Sequence, residues 1–177
     1  RRSSRLAPYR IEMLVTLRKG ARWVEFETKI NNNVPNHYLQ AAFPTDVDAE
    51  FVYAQGQFDV VKRPIAKPDY SKYDEIPMTE QPMNSFVDIC NKNEGVAVLN
   101  TGLKAYESDD DYNHTVYLSL LRCFELRIYV TPEEQNYSRI ENGSQSFGEH
   151  TFRYAFMPHK GDWEDAQVWK AAEDFNM

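Results

Sequence analysis

The chain has 177 residues, 42% of them hydrophobic and 27% charged, which suits a single globular domain with a real core. Lys and Arg number 20 against 27 Asp and Glu, a formal charge of −7. A chain this acidic lacks the clustered cations that nucleic-acid binding needs, and no apolar run approaches the ~20 residues of a membrane-spanning helix. Neither a nucleic acid nor a membrane is therefore expected as a partner.

From the N-terminus, Tyr9, Ile11, Met13, Val15 and Leu17 fall on one face of an alternating stretch. Lys19-Gly20 makes a turn, and Val24, Phe26, Thr28 and Ile30 alternate again. The pattern predicts a half-buried antiparallel hairpin. The Asn-rich segment 31–36 is a turn. Strands are expected over His37 to Phe43 and Glu50 to Val61. Arg63 to Pro82 holds four prolines and no periodicity, so it reads as a long surface loop.

Ser85 to Cys90 and Gly95 to Leu99 predict a second hairpin turning through Asn91 to Glu94, extended over Leu103 to Glu107. Asp109, Asp110 and Asp111 read as a solvated turn. Thr115 to Tyr129 is apolar and suits a buried strand, broken near Arg122 and Cys123. Thr131 to Gly148 is loop-like, and Thr151 to Met157 is a strand. Asp162 is placed to cap a short helix, with Asp165 three residues on and Trp163, Ala166, Trp169 and Ala172 as its apolar face. About nine strands and one terminal helix result. The fold class is all-β: an antiparallel sandwich over residues 1–160 with a C-terminal helical segment over 161–177.

Sites of chemistry are harder to find. Glu149, His150 and His159 suggest a metal set on paper. A strand rises ~3.3 Å per residue, so Glu149 and His159 would lie roughly 33 Å apart on one face, with His150 on the other. Metal ligands must reach one point, so the stretch reads as a structural strand. No Gly-x-Ser-x-Gly elbow and no Gly-rich phosphate loop occurs. Asp59 and Asp88 sit inside strand patterns, where an outward-facing acid is the plain reading. Cys90 and Cys123 lie in apolar patterns and read as buried thiols. Asn113, Asn136 and Asn142 begin glycosylation triplets. The 11 tyrosines suit sheet packing, and Tyr70 and Tyr73 also suit a sugar-stacking platform. A free-standing carbohydrate-binding module is thus an alternative reading. The chain opens on Arg1 with no initiator Met, as an excised segment would.

An ordered set of stretches carries more. They are "VTLRKGARWVEFETKINNN" (Val15 to Asn33), "NHYLQAAFPTDV" (Asn36 to Val47), "AQGQFDVVKRP" (Ala54 to Pro64), "QPMNSFVDICNKNEGVAVLNTGLKAYE" (Gln81 to Glu107), "LSLLRC" (Leu118 to Cys123) and "QSFGEHTFRYAFMPHKGDW" (Gln145 to Trp163). Together they resemble the C-terminal β-domain of glycoside hydrolase family 38, the α-mannosidases, and most closely its bacterial, mannosylglycerate hydrolase-like branch.

The resemblance implies a supersandwich of the mutarotase-like kind, with first strands that start before Arg1. It implies a partner, an N-terminal catalytic barrel with a helical bundle in the same protein, and an α-mannoside as the parent's substrate. Zinc, the nucleophile and the general acid of such enzymes belong to that barrel. No catalytic or metal residue is carried onto this chain, and no cofactor is expected within it. Some members extend a β-domain loop toward the sugar. Its counterpart here is Asn100 to Lys104: Asn100, Gly102 and Lys104 are the candidate substrate-binding residues, Gly102 for close approach and Lys104 as a charged donor.

Overall fold

The computed structural model describes residues 9–67, 69–72, 74, 78–110, 112–125 and 142–177. Tyr73, Asp111, Asn136, the end of the strand expected to reach Tyr129, and most of the expected loop from Thr131 to Gly148 lie outside the described residues.

Eleven strands and two helices are described: β1 (Ile11–Thr16), β2 (Val24–Asn32), β3 (His37–Phe43), β4 (Phe51–Gln55), β5 (Val60–Pro64), β6 (Gln81–Pro82), β7 (Phe86–Cys90), β8 (Glu94–Asn100), β9 (Ala105–Ser108), β10 (Val116–Cys123), α1 (Asn142–Gln145), β11 (Gly148–Lys160) and α2 (Val168–Asn176). They form two sheets, seven strands in the order β1-β2-β11-β8-β7-β4-β5 and four in the order β3-β10-β9-β6. Every pairing is antiparallel. The sandwich expected from the sequence is the fold, with α1 in addition.

The sheets close on a core of Ile30, Val52, Val87, Ile89, Val98 and Tyr154 from the large sheet and Phe43, Tyr106, Val116 and Leu118 from the small one. Phe43 meets Phe26 and Tyr154 edge-on, with centroids 5.9 and 5.8 Å away. The Tyr154 hydroxyl, buried there, shares a 2.6 Å hydrogen bond with Thr28, which satisfies both groups. A second core lies on the other face of the large sheet, where α2 covers Phe86, Ala97, Leu99, Ala155 and Met157. Strands β7 and β8 are therefore buried on both faces. Their near-continuous apolar run is the sequence expression of that position.

Several expectations shift in detail. The predicted strand from Glu50 to Val61 is a hairpin, β4 and β5, because Gly56 allows a turn closed by Gly56 N–H donating to the Asp59 carbonyl (2.7 Å). Strand β11 runs 13 residues, longer than predicted, and pairs β2 with its first half and β8 with its second. Asp162 does cap a turn: its Oδ1 accepts the N–H groups of Glu164 and Asp165 (3.0 and 2.9 Å). The helix begins later, after Gln167, whose left-handed backbone (φ 50°) resets the helical phase. The buried face is consequently Val168, Ala171, Ala172 and Phe175, and Trp169 is turned outward. Trp163 and Ala166 still pack on the second core, from the turn before the helix.

The first hairpin forms as expected, but β1 is not half-buried. Residues 11–15 are all exposed. The reason lies in the sandwich: the small sheet ends at β3, whose Phe43 rests on β2 and β11, and no described strand lies above β1.

Candidate functional site

Three loops meet at one end of the sandwich: the β4–β5 turn over 56–59, the approach to β7 over 83–85, and the β8–β9 loop over 100–104. Two side-chain amides, half-buried Asn84 and buried Asn100, tie them together. Asn84 Nδ2 donates to the Gly56 carbonyl (2.7 Å), and Asn84 N–H donates to the Gln55 carbonyl (2.8 Å). Asn100 is fully buried; its Nδ2 donates to the Asn84 carbonyl (3.1 Å), and its Oδ1 accepts the Leu103 N–H (2.8 Å). The Asn100 carbonyl in turn accepts from Asn176 Nδ2 at the end of α2 (3.1 Å), which also donates to the Ala172 carbonyl (2.8 Å).

Asn100 therefore shapes the loop and presents no free polar group to a ligand. Gly102 has φ +83° and open space where a Cβ would stand, so the turn requires its left-handed backbone. Lys104 is exposed, its ammonium 3.5 Å from Asn84 Oδ1. It lines a cleft of about 560 Å³ with Asn84, Asp59, Arg63 and Phe58. Phe58, at the tip of the turn, is 98% exposed. Sequence reasoning missed Phe58 and Asn84. Gly56 was the available signal, since a glycine inside a strand pattern marks a break.

A larger basin of about 710 Å³ lies on the outer face of the small sheet, lined by Tyr38, Glu80, Glu107 and Arg122 among others. Its central carboxylate is already engaged: Glu80 accepts from Tyr38, Ser119 and Arg122, each at 2.7 Å. Burial, with Glu80 beside it, pushes the Tyr38 hydroxyl up to about 12. Those groups hold one another rather than a ligand. Tyr70 is half-buried beside Arg63 and Tyr106 rather than laid open as a platform.

The residues weighed as metal ligands are dispersed. Glu149 is exposed, His150 Nε2 bonds the Ser146 carbonyl (2.7 Å), and His159 Nε2 donates to Asp88 Oδ2 (2.7 Å). Among the described residues no three His, Cys, Asp or Glu side chains are grouped to hold a metal ion. Asp88, read from the sequence as an outward acid, is instead completely buried. It faces the α2 side of the large sheet, and the His159 ring reaches it across Gly95. A Cβ on Gly95 would stand 2.4 Å from that ring.

Burial alone would favour neutral His159, but the hydrogen bond and charge of Asp88 hold its pKa above the ordinary value. Burial raises that of Asp88 against the opposing pull of His159. Both directions say that the folded pair grips its shared proton. Burial also pushes the Cys90 thiol up, and the adjacent Asp88 carboxylate adds to it, so Cys90 is no nucleophile. Cys123 is buried in the core between the sheets, and both thiols are free.

The chain is an antiparallel β-sandwich with a cluster of three hydrogen-bonded loops at one end. The sequence profile of "Glycosyl hydrolases family 38 C-terminal domain" matches residues 3–125. The chain belongs to that family. It is similar to a putative mannosylglycerate hydrolase of Halalkalibacterium halodurans, 29% identical over 164 residues, covering 90% of this chain and 16% of that protein. It is also similar to human alpha-mannosidase 2C1, at 28% identity over 95% of this chain and 14% of that protein. The crystal structure of an alpha-mannosidase from Enterococcus faecalis V583 superposes with a TM-score of 0.80 at 29% identity, covering 97% of this chain and 18% of its own. The chain thus spans less than a fifth of the length of these relatives.

Proposed function

We propose that this domain braces a separate catalytic barrel in an α-mannosidase-like glycoside hydrolase, performs no chemistry itself, and turns its 56–59 and 100–104 loops toward the bound sugar. The family match over residues 3–125, in proteins that are five to seven times longer, is the observation that carries the reading. Lys104 supplies a charged donor to a sugar hydroxyl or carboxylate. Gly102 allows close approach, and Asn100 holds the loop in shape. The partners are the barrel and helical bundle of the same protein, and the substrate class is an α-mannoside.

Zinc is assigned to the barrel. The described residues of this chain do not fit it, since their His, Asp and Glu side chains are dispersed or paired with one another.

The test compares the full-length enzyme with the 177-residue chain on an aryl α-mannoside, with and without zinc. Activity in the full-length protein alone supports the accessory role. Zinc-dependent turnover by the chain alone overturns it. In the full-length enzyme, Lys104→Ala lowers kcat/KM by about tenfold or more if it donates a charge-assisted hydrogen bond to substrate.

A further inference from the structure

The β4–β5 turn carries a large apolar residue that packs on almost nothing. Phe58 stands at its tip with 98% of its surface exposed, between Gln57 and Asp59, which are exposed as well. A phenyl ring left in water forgoes the free energy of burial, and turn chemistry favours small or polar residues there. The domain by itself gains nothing from this ring.

The turn beneath it is nonetheless firmly held. Gly56 N–H donates to the Asp59 carbonyl (2.7 Å), and Asn84 donates to the carbonyls of Gly56 and Gln55 (2.7 and 2.8 Å). Gln55 Oε1 accepts the Ser85 N–H (3.1 Å). The ring therefore stands on a fixed base, and little more than its own rotation is lost when something packs on it. Preorganisation of that kind makes an aromatic contact effective.

The cleft beside Phe58 defines what would pack there. Its volume of about 560 Å³ suits a small molecule. Buried Met83 and half-exposed Val61 make part of its lining apolar. The rest is charged: Lys104 and Asp59 are exposed, and Arg63 is half-buried with one N–H donating to the Tyr106 hydroxyl (3.1 Å). An apolar protein surface laid over this cleft would strip water from three charged groups without pairing them. A pyranose meets both parts of the lining. One face of the sugar carries C–H groups, whose slight positive charge suits the negative face of an aromatic ring. Hydroxyls surround its edge, accepting from Lys104 and Arg63 and donating to Asp59.

We propose that Phe58 is a stacking platform for the second sugar ring of a disaccharide or longer substrate, and so sets a preference for such substrates over simple glycosides. The inference rests on the reading of this chain as one domain of an α-mannosidase-like hydrolase, and deepens it. That reading puts the cleaved mannose in the barrel, so the ring held by Phe58 is the one beyond the scissile bond. Tyr70 does not compete for this role, being half-buried beside Arg63 and Tyr106.

Calorimetric titration of the full-length protein tests this, with a thio-linked α-mannobioside, which resists hydrolysis, and with methyl α-mannoside. Phe58→Ala should lower the ratio of the two affinities by about tenfold. Phe58→Leu should lower it as far, since apolar bulk without a ring does not stack, and Phe58→Trp should keep it. An unchanged ratio in Phe58→Ala overturns the proposal. So does an equal loss for both ligands, which would make Phe58 a brace against the barrel. Full selectivity in Phe58→Leu, or no mannobioside binding by the unsubstituted protein, overturns it too. Hydrolysis of an aryl α-mannoside by the unsubstituted protein separates the two ideas. Hydrolysis with an unchanged ratio sinks the platform alone, and a ring-dependent ratio without hydrolysis sinks the functional reading alone.

Discussion

Strands β8 and β1 belong to the same sheet and are both rich in apolar residues, yet one is sealed and the other open. Strand β8 has the small sheet on one face and α2 on the other, and Val96 to Asn100 are all buried. Among the described residues, strand β1 has a neighbouring strand along one edge only and no strand over its interior face. The contrast shows that an apolar pattern records what a strand is built to bury against. It does not record whether the covering group lies in the same stretch of chain.

The contrast can be broken most forcefully at the sealed end. His159→Ala leaves the Asp88 carboxylate buried without its partner and should cost about 3–5 kcal/mol in urea unfolding. Leu99→Ala, at a fully buried site, should cost about 2–5 kcal/mol in the same measurement. Gly95→Ala drives a methyl group against the His159 ring and the Cys90 Cβ and should cost about 1–3 kcal/mol through overpacking.

A gentler probe is pH. The folded pKa of His159 is raised, so its contribution is fully present below the unfolded value of about 6.5 and is lost as pH rises through the folded value. The urea midpoint should therefore fall as the medium becomes alkaline, with a shallower slope in His159→Ala. At the open end, Val15→Ala in the chain should change stability by less than about 0.5 kcal/mol. A loss there comparable to that of Leu99→Ala would mean that β1 is already covered and would erase the comparison.

Much of this was legible in the sequence, for physical reasons that differ by region. The β7–β8 hairpin was readable because its turn is polar and both strands are buried, so local pattern and tertiary position agree. The strand character of Thr151 to Met157 was readable in the sequence, the extension to Gly148 and Lys160 was not, and the ~3.3 Å rise per residue was enough to separate Glu149 from His159. The placement of β11 between β2 and β8 was not readable, since it depends on pairing residues such as Tyr154 and Phe26, which are far apart in the chain.

The buried role of Asp88 was hidden for the same reason: its partner comes from another strand. The face of α2 was misread because one left-handed residue, Gln167, shifts the phase of everything after it. At the loop cluster, the segment Asn100 to Lys104 was found through family resemblance. The Asn84 bond that joins it to Phe58 and its turn is a tertiary contact without a local signature.

The Asn176 side chain also has a mechanical meaning. By donating both to Ala172 within its own helix and to the Asn100 carbonyl, it makes α2 a splint for the loop that carries Lys104. Any event that levers the helix off the sheet is then felt at Lys104, a lever arm running from the back of the sandwich to the loops at its end.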